Sequence, residues 1–168
     1  VSQIFISIGS NIEPQHHMSL ALDELQQLFG SLQVSSIFES QAVGFDGDNF
    51  LNAVVGCQTE LTLEQTANAL REIEVRHGRP KNAKKFASRG LDLDLLLFDA
   101  VECQQPVILP RPEIFYNAFV LWPLSELAPE LIPPSSQRSF GQLWQEFDKT
   151  KQQLCPVSFH WQPTRVKV

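Results

Sequence analysis

The chain has 168 residues and a mass of 19.0 kDa, a size for one domain with its own core and no need of disulfide staples. Apolar residues make up 43% and charged residues 19%, which excludes a disordered or collagen-like chain, and 19 acidic against 13 basic residues (net −6) argue against a general nucleic-acid or anionic-membrane binder. No apolar run approaches the ~18 residues of a membrane span, the start V-S-Q-I-F-I-S-I-G-S-N lacks the basic region of a signal peptide, and Cys57, Cys103 and Cys155 are widely spaced without C-x-x-C, so a soluble cytoplasmic protein without structural zinc is expected.

Residues 4–8 alternate as a first strand that ends at Gly9-Ser10-Asn11, with Asn11 as a candidate helix cap and Pro14 suited to a first helical turn. Met18, Leu22, Leu25 and Phe29 recur at helical spacing, and Gly30 stops the helix. Leu32, Val34, Ser36 and Phe38 alternate as a second strand, and residues 50–59 read as a third. Thr62 with Gln65 forms a capping box for a helix with Leu63, Ala67, Leu70 and Ile73 on one face, ended by Gly78. Residues 91–98 read as a fourth strand. The order βαββαβ predicts an α+β, ferredoxin-like core: an antiparallel sheet with two helices on one face, in αβα layers overall. Residues 106–134 hold seven of the 11 prolines and predict irregular chain with short helical pieces over the other face or an edge; residues 139–147 could form a short helix, and the tail beyond Cys155 could add a strand. No internal repeat or linker divides residues 1–168, so a single domain is expected.

The most informative segment is L-D-L-D-L-L-L-F at 91–98. Alternate side chains of a strand share a face, so Asp92 and Asp94 point the same way with Cα atoms roughly 6.5–7 Å apart. The same alternation puts Leu96 and Phe98 on that face and Leu91, Leu93, Leu95 and Leu97 on the other. Two neighbouring carboxylates repel unless a cation compensates, and Mg²⁺ takes one or two carboxylates plus substrate phosphates. An exposed strand end, or pairing with Arg, would also account for D-x-D. Between Val75 and Leu91 there is no acid, whereas Arg76, Arg79, Lys81, Lys84, Lys85 and Arg89 supply six of the 13 basic residues. A basic loop running into an acidic pair suits a Mg²⁺–polyphosphate complex, the cations on phosphate oxygens and the carboxylates on the metal; a solvated loop is the plainer alternative. There is neither a P-loop nor a Rossmann glycine motif. On the third strand Leu51, Ala53, Val55 and Cys57 fill one face, and Phe50 with Asn52 on the other could stack on and hydrogen-bond a flat heterocycle. Phe86 and Phe119 could stack as well; core packing is the alternative for each. His16, His17, His77 and His160 have no metal-ligand spacing, and His77 reads as a helix end cap.

The segments I-S-I-G-S-N (6–11), F-L-N-A-V-V (50–55), I-E-V-R-H-G-R (73–79), K-F-A-S-R-G-L-D-L-D-L-L-L-F (85–98) and A-F-V-L-W-P-L-S-E-L-A-P-E-L (118–131) resemble, in order and spacing over residues 4–133, the 6-hydroxymethyl-7,8-dihydropterin pyrophosphokinase family of folate biosynthesis. The last 30 or so residues match poorly. The resemblance implies an αβα fold with a ferredoxin-like core and transfer of pyrophosphate from ATP to a pterin alcohol. It implies that Asp92 and Asp94 bind two Mg²⁺ ions, that Arg79 and Arg89 contact phosphates and assist transfer, and that Lys81, Lys85 and Glu74 belong to the ATP side. It implies that Asn52 hydrogen-bonds a pterin held between Phe50 and Phe119. Ser40, Gln41 and Val43 would offer backbone contacts to the ring. Phe86 stands where many members have Trp, and 79–90 would be a mobile loop closing over the substrates.

Two positions depart from the family pattern. Arg111, followed by Pro112, stands where a His that touches ATP is usual, and Asn117 stands where an Arg is usual. One nucleotide-side cation is lost and another gained, so Arg111 is a candidate for the phosphate or ribose contact; pairing with Glu113, or facing solvent, is the alternative. The expected partners are ATP and the hydroxymethyldihydropterin, with no nucleic acid and no membrane, and a monomer is expected. A catalytically weakened pterin- or nucleotide-binding paralogue is the second functional reading.

Overall fold

The structure, a computed structural model, describes residues 1–40, 49–77 and 90–161. Its strands are β1 (Ser2–Ser10), β2 (Gln33–Val34), β3 (Ile37–Ser40), β4 (Phe50–Thr59), β5 (Asp92–Phe98) and β6 (Leu154–Val157), and its α-helices are α1 (Pro14–Phe29), α2 (Leu63–Arg76), α3 (Ala118–Leu127) and α4 (Phe140–Glu146). The strands form one antiparallel sheet in the order β5-β1-β4-β3-β6, with β2 also paired to β4. Up to β5 this is the predicted ferredoxin-like βαββαβ core, and the tail adds a strand that starts just before Cys155 and lies at the rim of the sheet.

Alternation along the central strands explains the two faces. Ile4, Ile6 and Ile8 of β1 and Leu51, Ala53, Val55 and Cys57 of β4 are buried with Met18, Leu22 and Leu25 of α1 and Leu70 and Ile73 of α2. Phe5 and Val54 face the opposite way and are buried with Val120, Leu121 and Leu124 of α3 and Phe140 of α4. The proline-rich region thus covers the second face, through a 3₁₀ turn at Pro112–Phe115 and then α3. Burial raises the Cys57 thiol to about 12, so it stays protonated as a small core residue; Cys103 and Cys155 are also free thiols.

Three local expectations are corrected. The second strand is split into β2 and β3, because the Ser35 side chain takes over the sheet bond: the Val54 N–H donates to Ser35 Oγ at 2.9 Å. Asn11 does not cap α1. The cap is Glu13, in the left-handed region at φ 40, with Pro14 in the first turn; Asn11 is buried instead. His77 is the C-cap of α2, as expected, and its ring Nε2 lies 3.1 Å from Glu24 Oε1 on α1. Gly78, the expected stop, lies outside the described residues. The third correction concerns β5. Opposite β1 the register jumps from Ile6↔Leu95 to Phe5↔Leu97, so Leu96 is an extra residue in a bulge. The alternation breaks there: Leu97 joins Leu96 on the α3 face, and Phe98 turns to the α1/α2 face.

The capping box at Thr62 and Gln65 is present, with both hydrogen bonds made. A second one, Ser139 with Gln142, starts α4. Across the helix layer Glu24 takes Arg76 Nη2 at 2.7 Å as well as His77. Burial pushes the Glu24 pKa up, and the hydrogen bonds and charges of His77 and Arg76 outweigh it, so the carboxyl lies below its usual 4.5. Such a carboxyl stabilises the fold above its unfolded pKa, and that contribution is lost as pH falls through the folded value. Thermal melts between neutral pH and about pH 3 are expected to show Glu24→Gln less stable than the parent at the upper end and the difference closing at the lower end. A difference independent of pH would remove the pair from the acid response.

Candidate active site

Cross-strand partners in a sheet present their side chains on one face. Gly9 of β1 pairs with Asp92 on one side and Asn52 on the other, and Asn52 pairs with Phe38. The next row holds Asp94, Ser7 and Val54. Val54 is in the core beneath α3, so both carboxylates and Asn52 lie on the α3 face, beyond the edge of its apolar packing. At ~4.8 Å between strands, Asp92 and Asn52 are separated by about 10 Å of backbone across β1. Small residues, Ser7 and Gly9, floor the space between them. A Cβ on Gly9 would come within 3.2 Å of Asn52 Oδ1, so glycine there leaves room for the amide.

The amide is well held. Asn52 is buried and its Nδ2 donates to Ser40 Oγ at 2.8 Å. Phe50 is the next residue on that face of β4, opposite Ser40, and Phe119 lies in the first turn of α3, the helix packed over the same face. The structure therefore brings Ser40, Phe50, Asn52 and Phe119 to one side of the sheet. An open cavity of about 640 Å³ adjoins them at Ser40 and Asn49 and is walled by Trp122, Trp144 and Lys149; neither Asp92 nor Asp94 lines it.

The carboxylate pair is held from the α2 side. Glu74, buried on α2, accepts the Leu93 N–H at 2.9 Å on the outer edge of β5, between the two aspartates. The resemblance implied an ATP-side role for Glu74; through Leu93 it also supports the strand that carries the pair. Gly90 is pinned just before Asp92. Ser10 Oγ donates to its carbonyl at 2.5 Å, and a Cβ on it would lie 2.6 Å from the His77 carbonyl oxygen. The chain thus leaves the described fold at His77 and re-enters beside it at Gly90. The basic residues Arg79, Lys81, Lys85 and Arg89, the aromatic Phe86, and Gln41 and Val43 lie outside the described residues, as does all but the last residue of the proposed mobile loop at 79–90.

Arg111 shows a pairing that the sequence only half suggests. Its N–H donates to the carbonyl of the bulge residue Leu96 at 3.0 Å. Its guanidinium Nη2 lies 3.2 Å from Asp94 Oδ1, and its Nε lies 2.6 Å from Glu113 Oε2, off the hydrogen-bonding direction, so charge holds the latter pair. Tyr116 OH donates to Glu113 Oε1 at 3.1 Å; burial raises the Tyr116 pKa, and the bond to Glu113 adds to that. R-P-E at 111–113 signals the contact with Glu113, and the contact with Asp94 realises the pairing with Arg that D-x-D also allowed, although only the fold selects Arg111 for it. Asn117 has a structural use. Its Oδ1 accepts from Gln152 Nε2 at 3.1 Å, and Gln152 Oε1 accepts the Ala118 N–H at 2.7 Å, so the tail caps the helix that carries Phe119.

Oxygen donors alone fit a hard cation. Among the described residues no group of three or more His, Cys, Asp or Glu could hold a metal, so Asp92 and Asp94 offer an incomplete shell. Two carboxylates with room for outside oxygens match Mg²⁺ bound together with phosphates, and do not match a structural zinc or a calcium cage.

The family described as 7,8-dihydro-6-hydroxymethylpterin-pyrophosphokinase (HPPK) matches residues 5–129. Similar chains include the 2-amino-4-hydroxy-6-hydroxymethyldihydropteridine pyrophosphokinases of Porphyromonas gingivalis (35% identical over 137 residues, covering 77% of this chain and 93% of that one) and Pseudomonas aeruginosa (33% over 146 residues, 82% and 87%). The corresponding protein of Synechocystis is 30% identical over 155 residues, covering 86% of this chain and 76% of that one. Among solved structures, the fold is like that of Plasmodium falciparum HPPK-DHPS, with a TM-score of 0.67 at 10% identity, covering 87% of this chain and 43% of that longer one. No helix among the described residues is long and apolar enough to cross a membrane. With the family match spanning both the carboxylate pair and the Phe50–Asn52 strand, the chain belongs to the 7,8-dihydro-6-hydroxymethylpterin pyrophosphokinase family.

Proposed function

We propose that the protein transfers pyrophosphate from ATP to the hydroxymethyl group of 6-hydroxymethyl-7,8-dihydropterin, giving AMP and the pterin diphosphate. The observation that carries this reading is the single row Asp92–Gly9–Asn52: a metal-type carboxylate and a buried amide on one face, with one strand between them. Asn52, oriented by Ser40, would hydrogen-bond the pterin edge, with Phe50 and Phe119 flanking the ring. Asp92 and Asp94 would hold Mg²⁺, two ions in the reading we favour, which when bound neutralises the phosphate charge. Arg79, Arg89, Lys81 and Lys85 would bind phosphate oxygens, Glu74 would keep β5 in register, and Phe86 would supply further stacking. The hydroxymethyl oxygen attacks the β-phosphorus in line; the new O–P bond forms as the bond to the oxygen bridging to the α-phosphate breaks. AMP leaves with that bridging oxygen, and the hydroxyl proton passes to solvent. The chain supplies position and charge, which carry most of the catalysis in phosphoryl-type transfer.

The test is direct. Purified protein with Mg²⁺, ATP and the hydroxymethyldihydropterin is expected to form AMP and pterin diphosphate in equal amounts, and no AMP when the pterin is omitted. Tight pterin binding without AMP would favour the weakened paralogue instead.

A further inference from the structure

We propose that Arg111 is a counter-ion of Asp94 when no metal is bound there, and that it exchanges from Asp94 to nucleotide phosphate when the divalent cation arrives. This rests on the reading of Asp92 and Asp94 as the metal pair. The backbone of Arg111 is fixed at both sides: its N–H is bonded to Leu96, two residues along β5 from Asp94, and Pro112 follows it. That anchorage delivers the guanidinium to Asp94 Oδ1 at 3.2 Å, with side chains only 28% and 30% exposed, so the pair is screened less than a surface ion pair. Glu113 holds the other side of the guanidinium. Mg²⁺ demands close oxygen ligands in near-octahedral order, so it competes with the guanidinium for the carboxylate, and two cations on one carboxylate repel. A guanidinium displaced from Asp94 and still tethered by Glu113 has a planar donor fork that suits phosphate oxygens. The cation alone then meets an already neutralised carboxylate, whereas the cation bound to ATP brings the anion that receives Arg111. Arg111 thereby favours joint entry of metal and nucleotide over metal alone.

The experiment measures Mn²⁺ binding to the full chain without nucleotide, by the loss of the free-ion resonance signal, and then binding of the Mn²⁺ complex of a non-hydrolysable ATP analogue, by equilibrium dialysis. Without nucleotide, Arg111→Ala is expected to bind Mn²⁺ about five- to tenfold more tightly than the parent, as for removal of one partly screened ion-pair partner. Arg111→Lys, which keeps the charge, stays close to the parent. Arg138→Ala, which removes a cation paired with Glu146 away from the site, leaves Mn²⁺ binding unchanged. With the analogue present, the order reverses and Arg111→Ala binds the metal–nucleotide complex more weakly. Unchanged or weaker Mn²⁺ binding by Arg111→Ala without nucleotide overturns the counter-ion role. If at the same time Asp94→Asn abolishes binding with the analogue, the metal pair stands and only this inference falls. If neither parent nor variant binds Mn²⁺ in an Asp94-dependent way under either condition, the reading of the pair falls with it.

Discussion

Asp92→Ala and Asp94→Ala are each expected to lose nearly all pyrophosphate transfer, by roughly a thousandfold or more, while the chain stays folded. The size follows from the several kcal/mol of charge stabilisation that a metal contributes to a phosphoryl-type transition state. The two carboxylates share a face at the head of β5, and neither is needed by the apolar core. Asp94→Ala also leaves Arg111 with Glu113 alone, so Asp94→Asn is the better control for folding: it keeps the shape and removes the charge. AMP formation at saturating ATP and pterin, with a thermal melt of each variant, checks the expectation. Near-normal turnover in either variant would end the assignment of metal to this pair.

Glu74→Ala should give the second largest effect, a fall of about 10- to 100-fold in turnover, the usual consequence of removing a group that orients metal ligands. Glu74 is a positioning residue: its carboxylate receives the Leu93 N–H at 2.9 Å on the open edge of β5, and Leu93 separates the two aspartates. Without it a buried donor loses its partner, which costs about 1–3 kcal/mol of stability, and the start of β5 is free to shift. Glu74→Gln keeps an acceptor oxygen at the same reach. Rescue of both melting temperature and Mn²⁺ affinity by Gln would identify the hydrogen bond as the working part. Loss of Mn²⁺ affinity in Gln with an unchanged melting temperature would show instead that the negative charge is used.

Much of this was legible because it is local. The capping box at Thr62 needs four consecutive residues, and the alternation of β1 and β4 needs only a period of two. The D-x-D pair and the amide at Asn52 were readable for the same reason, since a strand's own geometry assigns their face. The bulge at Leu96 was not, because three successive leucines fit either face and the choice is made by the partner strand and by Arg111. The split between β2 and β3 turns on a serine hydroxyl replacing a ladder contact, a competition that pattern alone does not decide. The contacts Arg111–Asp94 and Asn117–Gln152 join segments far apart in sequence, so no spacing rule announces them.

The two rims of the sheet carry a consequence for solubility. An outer strand with unpaired donors and acceptors is a template for another chain, and proteins blunt such rims in several ways. On one rim the Glu74 carboxylate occupies a β5 donor. On the other, the tail strand β6 covers β3 and brings Pro156, which has no N–H to offer, opposite Phe38. The poorly matching tail is thus an aggregation guard: a chain cut short of Leu154 would bare the Ile37–Ser40 strand, and concentration-dependent self-association is the expected outcome.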